Sequence, residues 1–204
     1  MLKLKKIAIT GGVASGKTSV CRFFKELGAF VVNADAIVHE LLDPDTDLGQ
    51  QIIKQFGSEI LADGKLSRKM IAEKAFKDAR QLEQLEKLLH PAVLRKIEEL
   101  YEQACLSGKY SSFVVEIPLL FEIEGESFYD CIIAVLADEA IARRRFEQEG
   151  FTLEEYDRRM RRQLQPQKKA KLAHYQIQNN GTLEDLKKQT LTLNNILKLK
   201  AKPA

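Results

Sequence analysis

The sequence predicts an α/β fold in which helices cover both faces of a parallel sheet, a three-layer sandwich. Short, nearly continuous apolar runs alternate with segments whose apolar residues recur every three or four positions, as in consecutive strands and helices. A glycine-rich turn joins the first run to the first helical segment. A chain of 204 residues can form one such domain with a sizeable core and one insertion.

The first predicted strand, residues 7–9, leads through the turn into a helix that begins near Lys17. The turn has the spacing G-x-x-x-x-G-K-[ST], and strand, turn and helix in this order are typical of a P-loop. Its residues are Gly11, Gly12, Val13, Ala14, Ser15, Gly16, Lys17 and Thr18, with Ser19 following in the helix. We therefore predict the P-loop NTPase fold and a nucleoside triphosphate bound at these nine residues.

The chemistry of phosphate binding explains these residue types. Glycines allow successive N–H groups to turn inward around a phosphate, and the helix contributes its positive N-terminal end. Lys17 supplies a positive charge for the β- and γ-phosphates, and the Thr18 hydroxyl is placed to bind Mg²⁺. A glycine-rich turn that binds nothing is the alternative, and the complete motif argues against it.

The second predicted strand, residues 29–32, ends shortly before Asp35, and a helix follows. Open α/β sheets bind their ligands at the carboxyl ends of the strands. Asp35 is therefore a candidate to accept a proton from the hydroxyl of an acceptor substrate. An aspartate at this position could equally well be the N-cap of the helix. The residues alone leave both interpretations open.

Residues 43–108 contain no strand-like run, and their apolar residues recur at helical spacing. We expect helices over residues 48–56, 70–76 and 82–105, the last one interrupted at His90-Pro91. A helical insertion of this size could form a lobe that binds the acceptor. Its helices could otherwise simply cover the sheet, although there are more of them than one crossover needs.

The third predicted strand, residues 112–117, is almost entirely apolar, as expected for a buried parallel strand. Its one charged residue is Glu116. A buried carboxylate needs a partner, which the water shell of Mg²⁺ or the Lys17 ammonium group could provide. The fourth strand covers residues 130–136, and the fifth, residues 173–179, precedes a C-terminal helix.

Arginines concentrate between the fourth and fifth strands, in two helical segments separated by Gly150. They are Arg143, Arg144, Arg145, Arg158, Arg159, Arg161 and Arg162. Acidic residues are interleaved, so most of these arginines are expected on solvated helix faces. Phosphoryl transfer nevertheless needs guanidinium groups over the transferring phosphate, which favours a mobile helical lid. A nucleic-acid surface fits less well, because acidic residues interrupt the cluster and few aromatic side chains accompany it.

Composition restricts the classes of partner. The net charge of +3 suits a polyphosphate ligand and is too small to indicate nucleic-acid binding. Three widely spaced cysteines without a Cys-x-x-Cys pair are typical of reduced thiols in the cytoplasm. No apolar run reaches membrane-spanning length, and no signal peptide is visible. We expect a cytoplasmic enzyme, monomeric or weakly homo-oligomeric, that binds neither nucleic acid nor membranes.

Other classes of P-loop protein lack support in the sequence. A switch GTPase would need an Asn-Lys-x-Asp motif that reads the base and an Asp-x-x-Gly switch motif, and neither occurs. A motor or nucleic-acid-dependent ATPase would normally be larger and carry a clearer acidic pair after the third strand. A small kinase with a P-loop, an insertion and an arginine-rich lid remains.

Four groups of residues resemble the dephospho-coenzyme A (dephospho-CoA) kinase family. They are Thr10 with the P-loop, Asn33-Ala34-Asp35 with His39, His90-Pro91, and Pro118-Leu119-Leu120-Phe121-Glu122. Arg159-Met160 with Gln163, and Ala173 with Ile177 and Asn179, match the family's lid and last strand. The resemblance covers residues 7–186. The chain departs from the family at Asn33 and His174, where aspartate is usual, and at Gln148, where the lid usually has arginine.

The resemblance implies a five-stranded parallel sheet with the strand order 2-3-1-4-5. It also implies a nucleotide-binding core (about 1–42, 109–142 and 172–198), a helical acceptor-binding insert (about 43–108) and a lid (about 143–171). The implied reaction is ATP-dependent, Mg²⁺-assisted phosphorylation of the ribose 3′-hydroxyl of dephospho-CoA, which yields coenzyme A and ADP. This is the last step of coenzyme A synthesis. Because the P-loop also resembles that of uridine kinases, a nucleoside-type kinase is the alternative.

The resemblance also implies roles for particular residues. Asp35 would orient the attacking hydroxyl, and Lys17, Arg144 and Arg159 would stabilise charge on the phosphates. Five further residues would shape the acceptor site, namely His39, His90, Leu119, Leu120 and Phe121. The alternative for His90 is a packed or capping histidine, and the alternative for the apolar run 119–121 is plain core.

Overall fold

The computed structural model describes residues 3–75 and 78–199. Within these residues it contains seven β-strands and nine α-helices. The strands are β1 (Lys6–Gly11), β2 (Phe30–Asn33), β3 (Leu61–Ala62), β4 (Lys65–Leu66), β5 (Phe113–Glu116), β6 (Cys131–Leu136) and β7 (Tyr175–Gln178). The helices are α1 (Lys17–Glu26), α2 (Ala34–Leu41), α3 (Asp47–Phe56), α4 (Arg68–Ala75), α5 (Ala79–Ser107), α6 (Glu139–Gln148), α7 (Leu153–Met160), α8 (Pro166–Leu172) and α9 (Leu183–Leu199).

Five strands form one sheet in the spatial order β2-β5-β1-β6-β7. The central strand, β1, pairs in parallel with β5 and with β6, and β6 pairs in parallel with β7. Counted among these five strands alone, the order is 2-3-1-4-5, so the predicted topology is confirmed. The register pairs Ile9 with Glu116 and Gly11 with Val135. The turn after β1 therefore leaves the sheet between the ends of β5 and β6.

The described chain divides into two compact units. The first contains the residues up to Val32 and those from Gln103 onward, and the second is 33–102. In the first unit, α1 and α9 pack against each other and share an apolar core with the sheet. Representative buried members of this core are Ile7, Ile9, Val20, Phe24, Ile133, Ile177 and Leu186. The three central strands, β1, β5 and β6, are buried on both faces, which explains their nearly continuous apolar sequences.

The second unit has its own core, built by α3, α4 and the start of α5. Its buried members include Leu48, Ile52, Phe56, Ile60, Leu66, Ile71 and Leu85. Helix α3 ends before Gly57, as expected, and Gly57 has a φ of +84°. The Ser67 hydroxyl accepts a hydrogen bond from the Met70 amide and so caps the start of α4. The predicted end of this helix, Phe76, lies outside the described residues.

Two expectations for residues 43–108 are wrong. The first is the absence of strands, because β3 and β4 pair antiparallel across Asp63 and Gly64. Both turn residues have positive φ, +50° and +75°, as in tight hairpin turns. Strands of two residues are too short to produce a periodic apolar pattern, so the sequence could not reveal them.

The second is the interruption at His90-Pro91, because α5 runs continuously from Ala79 to Ser107 with Pro91 inside it. Proline removes one backbone hydrogen bond and crowds the preceding turn, at a cost of about 3 kcal/mol in a helix interior. Apolar residues before Pro91, such as Leu85 and Leu89, pack into the core of the second unit. Tertiary packing therefore offsets the local preference for a break.

The region predicted as a lid forms three helices, α6, α7 and α8. Its apolar contacts form a small cluster in which Val13 packs with Ala142, Phe146 and Tyr156. Helix α7 begins with a capping box: Thr152 accepts a bond from the Glu155 amide, and the Glu155 carboxylate accepts one from the Thr152 amide. Helix α7 ends at Met160, so Arg161 and Arg162, which were predicted in the same helical segment, follow the helix. None of the helices described for residues 3–75 and 78–199 is long and apolar enough to cross a membrane.

Candidate active site

The P-loop occupies the turn between β1 and α1. Gly16, just before α1, has a φ of +96°, which glycine adopts without strain. A side chain at Gly16 would also overlap the amide nitrogen of Asn179. At Gly11 a side chain would overlap the Val135 carbonyl of the neighbouring strand. Both glycines are thus required by the conformation and by the space around the turn.

Lys17 is the first residue of α1 and is 8% exposed. Its Nζ donates a hydrogen bond of 2.6 Å to the Gly12 carbonyl oxygen. The ammonium group is therefore held against the P-loop itself. A buried cation at a helix N-terminus attracts anions, because the helix end and the side chain carry positive charge together.

Thr18 and Glu116 bring two oxygen groups together at the end of β5 and the start of α1. The Thr18 hydroxyl donates a 2.9 Å hydrogen bond to Glu116 Oε1. Glu116 is 6% exposed, in agreement with its predicted place inside a buried strand. Burial, and then the negative charge of Glu116, raise the pKa of the nearby Cys21 thiol well above its usual value. The cysteine consequently stays a neutral thiol in this acidic environment.

A cavity of about 480 Å³ opens beside the P-loop. Its lining consists of Ala14, Ser15, Gly16, Lys17, Thr18, Ser19, Arg145, Gln148, Glu149, Asn179, Leu183 and Leu186. The Ser15 hydroxyl is buried and has no hydrogen-bond partner. An unsatisfied buried hydroxyl is costly, and a polar ligand in the cavity would satisfy it. The cavity thus joins six of the nine predicted nucleotide-binding residues to Arg145 and Gln148 of α6.

Arg145 and Asn179 belong to this cavity, and neither was predicted as a site residue. Arg145 Nη1 donates to the Asn179 carbonyl oxygen at 3.0 Å, and Nη2 lies 3.4 Å from Asn179 Oδ1. Asn179 Nδ2 donates to the Ser15 carbonyl at 2.8 Å. The sequence signals were weak: Arg145 lay in a run of three arginines, and Asn179 was noted only as a match to the family's last strand.

The arginines that were predicted to be catalytic lie elsewhere. Arg144 is exposed on α6, and the cavity is lined by its neighbour Arg145. Arg159, on α7, places its guanidinium over the rings of Phe146 and Phe151, at 5.1 and 4.8 Å from their centroids. Such cation–π contacts fix the direction of a guanidinium group on an otherwise exposed side chain.

The run Pro118-Leu119-Leu120-Phe121-Glu122 forms a turn after β5. Leu120 and Phe121 are buried, which agrees with the core alternative, whereas Leu119 is 40% exposed. Glu122 Oε1 lies 2.8 Å from Lys169 Nζ and accepts a 2.7 Å bond from the Leu164 amide. Glu122 thereby links this turn to the segment that joins α7 to α8.

Lys169 is the buried cation of this link and was not singled out in the sequence. Its side chain is fully buried, and its Nζ also donates to the Pro118 carbonyl and to Gln163 Oε1, at 2.5 and 3.3 Å. Burial lowers the pKa of Lys169, and the hydrogen bond and charge of Glu122 partly oppose that shift. The three acceptors satisfy the ammonium group, as a buried charge requires.

Asp35, His39 and His90 all lie in the second unit. Asp35 and His39 are exposed on α2, and His90 is half-buried on α5. The N-cap interpretation of Asp35 is wrong: the cap of α2 is Asn33, whose Oδ1 accepts a 3.0 Å bond from the Ala36 amide. Asp35 stands inside the first helical turn, so its carboxylate is not used for that cap.

Comparisons with known proteins agree with this architecture. A family model described as Dephospho-CoA kinase matches residues 5–185. A dephospho-CoA kinase from Protochlamydia amoebophila is 44% identical over 201 residues, 98% of this chain and 99% of that relative. The crystal structure of TT1252 from Thermus thermophilus has a TM-score of 0.82 and 29% identity, covering 99% of this chain and all of that one.

A dephospho-CoA kinase structure from Campylobacter jejuni shares the fold, with a TM-score of 0.71 at 24% identity. It covers 97% of this chain and 98% of its own. The resemblance noted in the sequence is thereby confirmed, and with it the assignment as a kinase. The chain belongs to the dephospho-CoA kinase family.

Proposed function

We propose that this chain transfers the γ-phosphoryl group of ATP to the ribose 3′-hydroxyl of dephospho-CoA by an in-line displacement. One observation carries the donor half of this proposal: the P-loop, Lys17 and an unsatisfied Ser15 hydroxyl border one cavity. Membership in the family supports the acceptor half. Phosphoryl transfer of this kind depends mainly on positioning and on stabilisation of charge, which a preformed cradle provides.

We assign the phosphates of ATP to residues 11–19. Backbone N–H groups of the turn and the positive end of α1 would bind the phosphate oxygens. Lys17 Nζ now donates to the Gly12 carbonyl, a bond that an incoming phosphate oxygen would replace with a stronger one between opposite charges. The Ser15 hydroxyl would find its partner among the same oxygens.

Mg²⁺ is the cation that we assign to this reaction. It prefers oxygen ligands, and the Thr18 hydroxyl and the Glu116 carboxylate supply them side by side. The residues present therefore fit the ion, with Thr18 as a ligand and Glu116 holding Thr18 or a metal-bound water. When bound with ATP, Mg²⁺ neutralises negative charge on the phosphates.

The predicted acceptor residues stay proposals within each unit: Asp35, His39 and His90 in the second unit, and residues 119–121 of the turn after β5 in the first. Asp35 would orient the 3′-hydroxyl and receive its proton; its exposed position inside the first turn of α2 leaves the carboxylate available. His39 and His90 would bind polar groups of dephospho-CoA. Of the apolar run, Leu119 is exposed and can contact a ligand, while Leu120 and Phe121 would support it from the core.

Arg145 is our candidate for the cation that stabilises the transferring phosphate from the lid, because it lines the nucleotide cavity. Arg144 and Arg159 stay predictions: each is exposed, and each would act only after movement of α6 or α7. A cytoplasmic location and a monomeric or weakly oligomeric state also stay predictions. Cys21, Cys105 and Cys131, all within the described residues, form no disulfide, which is typical of a reducing compartment.

The decisive experiment is a coupled assay of ADP release with Mg²⁺ and ATP, in which dephospho-CoA, uridine and adenosine are offered in parallel. We expect turnover with dephospho-CoA alone. Turnover with a nucleoside instead would keep the donor site and contradict the acceptor. No turnover with any acceptor, in a protein that binds ATP, would contradict the proposed reaction as a whole.

A further inference from the structure

Asn179 occupies an unusual position between the P-loop and the arginine of the nucleotide cavity. It follows β7, where its backbone amide donates a 2.7 Å bond to the Leu136 carbonyl oxygen. Its side chain is 5% exposed and lines the cavity. The side chain therefore approaches the nucleotide site from a rigid strand end, not from a mobile loop.

Both ends of the Asn179 amide are engaged, and with opposite chemistry. Nδ2 donates to the Ser15 carbonyl oxygen at 2.8 Å, and Oδ1 faces Arg145 Nη2 at 3.4 Å. A carbonyl oxygen only accepts hydrogen bonds, and a guanidinium group only donates them. If the Asn179 amide were turned over, its oxygen would face the Ser15 carbonyl oxygen and its NH₂ group would face the Arg145 guanidinium. Only an amide of this orientation satisfies both neighbours at once.

The contact with the P-loop is close. A side chain at Gly16 would overlap Asn179 Nδ2, so the amide packs directly on the peptide that begins α1. By donating to the Ser15 carbonyl oxygen, Asn179 restrains the peptide that joins Ser15 to Gly16, whose N–H group belongs to the P-loop. The bond therefore fixes the direction of the peptide at the point where phosphate is expected.

The contact with Arg145 has two points, because Nη1 also donates to the Asn179 carbonyl oxygen at 3.0 Å. Two-point contacts orient a guanidinium group far better than one. Arginine has five N–H donors, and these two bonds leave others for an anionic ligand in the cavity. Asn179 thereby restrains the position of Arg145 relative to the P-loop.

We propose that Asn179 is a positioning residue for phosphoryl transfer, which acts by holding Arg145 and the Ser15 peptide in register around the nucleotide. The inference rests on the proposed function and deepens it. If it is correct, loss of the amide lowers kcat more than it raises the KM for ATP, because Arg145 is needed most where charge builds up on the transferring group.

The test is a double-mutant cycle with Asn179→Ala, Arg145→Ala and the double variant in the full chain. We expect Arg145→Ala to lower kcat with dephospho-CoA by about 10²-fold and Asn179→Ala by about tenfold. The kcat of the double variant should be close to that of Arg145→Ala, because Asn179 affects kcat through the arginine, whereas its bond to the Ser15 carbonyl is expected to affect ATP binding. Asn195→Ala, an exposed asparagine on α9, is the matched control and should keep kcat within about twofold.

Independent losses that multiply in the double variant would overturn the proposal, since they are the signature of a structural role alone. An unchanged kcat in Asn179→Ala would overturn it as well. Asn179→Asp refines the test: it keeps the volume and an acceptor for Arg145 but loses the donor to Ser15, so it should weaken binding of a fluorescent ATP analogue measured without acceptor.

Two further measurements distinguish failure of the role proposed for Asn179 from a variant that does not fold and from failure of the proposed reaction. If Asn179→Ala does not fold, Arg145→Lys probes the same contact from the other side, because it keeps the charge and loses the two-point bond. Its kcat should then approach that of Arg145→Ala, and a wild-type kcat would refute the proposal. Failure of the proposed reaction would appear separately, as wild-type protein that binds the ATP analogue and turns over no dephospho-CoA.

Discussion

The two units of the chain prepare for their substrates in different ways. In the first unit, the P-loop is built from glycines in crowded positions and from polar side chains whose partners are already in place, with Lys17 bonded to the Gly12 carbonyl and Thr18 to the buried Glu116. In the second unit, the candidate acceptor residues Asp35 and His39 stand exposed on one short helix. The proposed phosphate site is thus preorganised, while the proposed acceptor residues Asp35 and His39 are exposed side chains.

This contrast has a physical reason. A phosphate is small and has the same shape in every nucleotide, so a ring of N–H groups and one cation is enough to bind it. Such a site stabilises charge better when it is rigid. A large acceptor offers many weak contacts that form only when it binds. Substitutions in the first unit should therefore be severe and general, and those in the second milder and specific to the acceptor.

The largest effect on kcat is expected for Lys17→Ala, which tests the preorganised P-loop of the first unit. Removal of the cation from the transferring phosphates should lower kcat by about 10²- to 10³-fold in the assay of ADP release, while circular dichroism and the melting temperature stay close to wild type. Lys25→Ala, exposed at the other end of α1, serves as control. An unchanged rate in Lys17→Ala would refute the assignment of the P-loop.

The next effect concerns stability, through the buried contact between Glu122 and Lys169. Glu122→Gln removes the charge that balances a fully buried ammonium group, and we expect it to lower the free energy of unfolding by about 3 kcal/mol. Glu124→Gln, exposed two residues later, is the control. Equal stability of the two variants in urea would show that the pair contributes nothing.

The same variant should respond to pH in a defined direction. Burial already lowers the pKa of Lys169 below its ordinary value of 10.5, and loss of Glu122 removes the group that opposes this shift. At a pH below the pKa of Lys169 in the folded variant, Glu122→Gln bears the full free-energy cost of a buried, unbalanced charge. As the pH rises toward 10.5, Lys169 loses its proton more readily in the folded state than in the unfolded state, so this cost decreases. The difference in stability between Glu122→Gln and wild type should shrink accordingly.

Asp35→Asn tests the proposed acceptor residues of the second unit. It should lower kcat with dephospho-CoA by about 10²-fold, since a loose transition state needs the carboxylate chiefly for orientation. Binding of a fluorescent ATP analogue should not change. Glu40→Gln, an exposed carboxylate on the same helix, is the control. Weakened nucleotide binding in Asp35→Asn would contradict the separation of roles between the two units.

The smallest effect is expected at the cap of α2. Asn33→Ala removes the bond to the Ala36 amide and should cost about 1 kcal/mol of stability, whereas Asn33→Asp keeps an acceptor and should cost little. Thermal unfolding of the two variants measures the difference. A similar loss in both would mean that Asn33 contributes through something other than its side-chain oxygen.

What the sequence determined by itself is local. The G-x-x-x-x-G-K-[ST] spacing, the apolar runs of β1, β2, β5 and β6 and the stop at Gly57 each reflect a constraint within a few neighbouring residues, and all are confirmed. The order of the strands came from the resemblance to a family, because pairing between distant strands leaves no mark in either strand alone.

Tertiary structure alone decided the rest. Which of Arg143, Arg144 and Arg145 lines the cavity depends on the rotation of α6 about its axis, and adjacent residues on a helix point in directions that differ by about 100°. The continuity of α5 through Pro91 and the burial of Lys169 beside Glu122 likewise depend on partners supplied by packing. Their energies are sums over contacts between residues far apart in the chain, and no short stretch of sequence contains both partners.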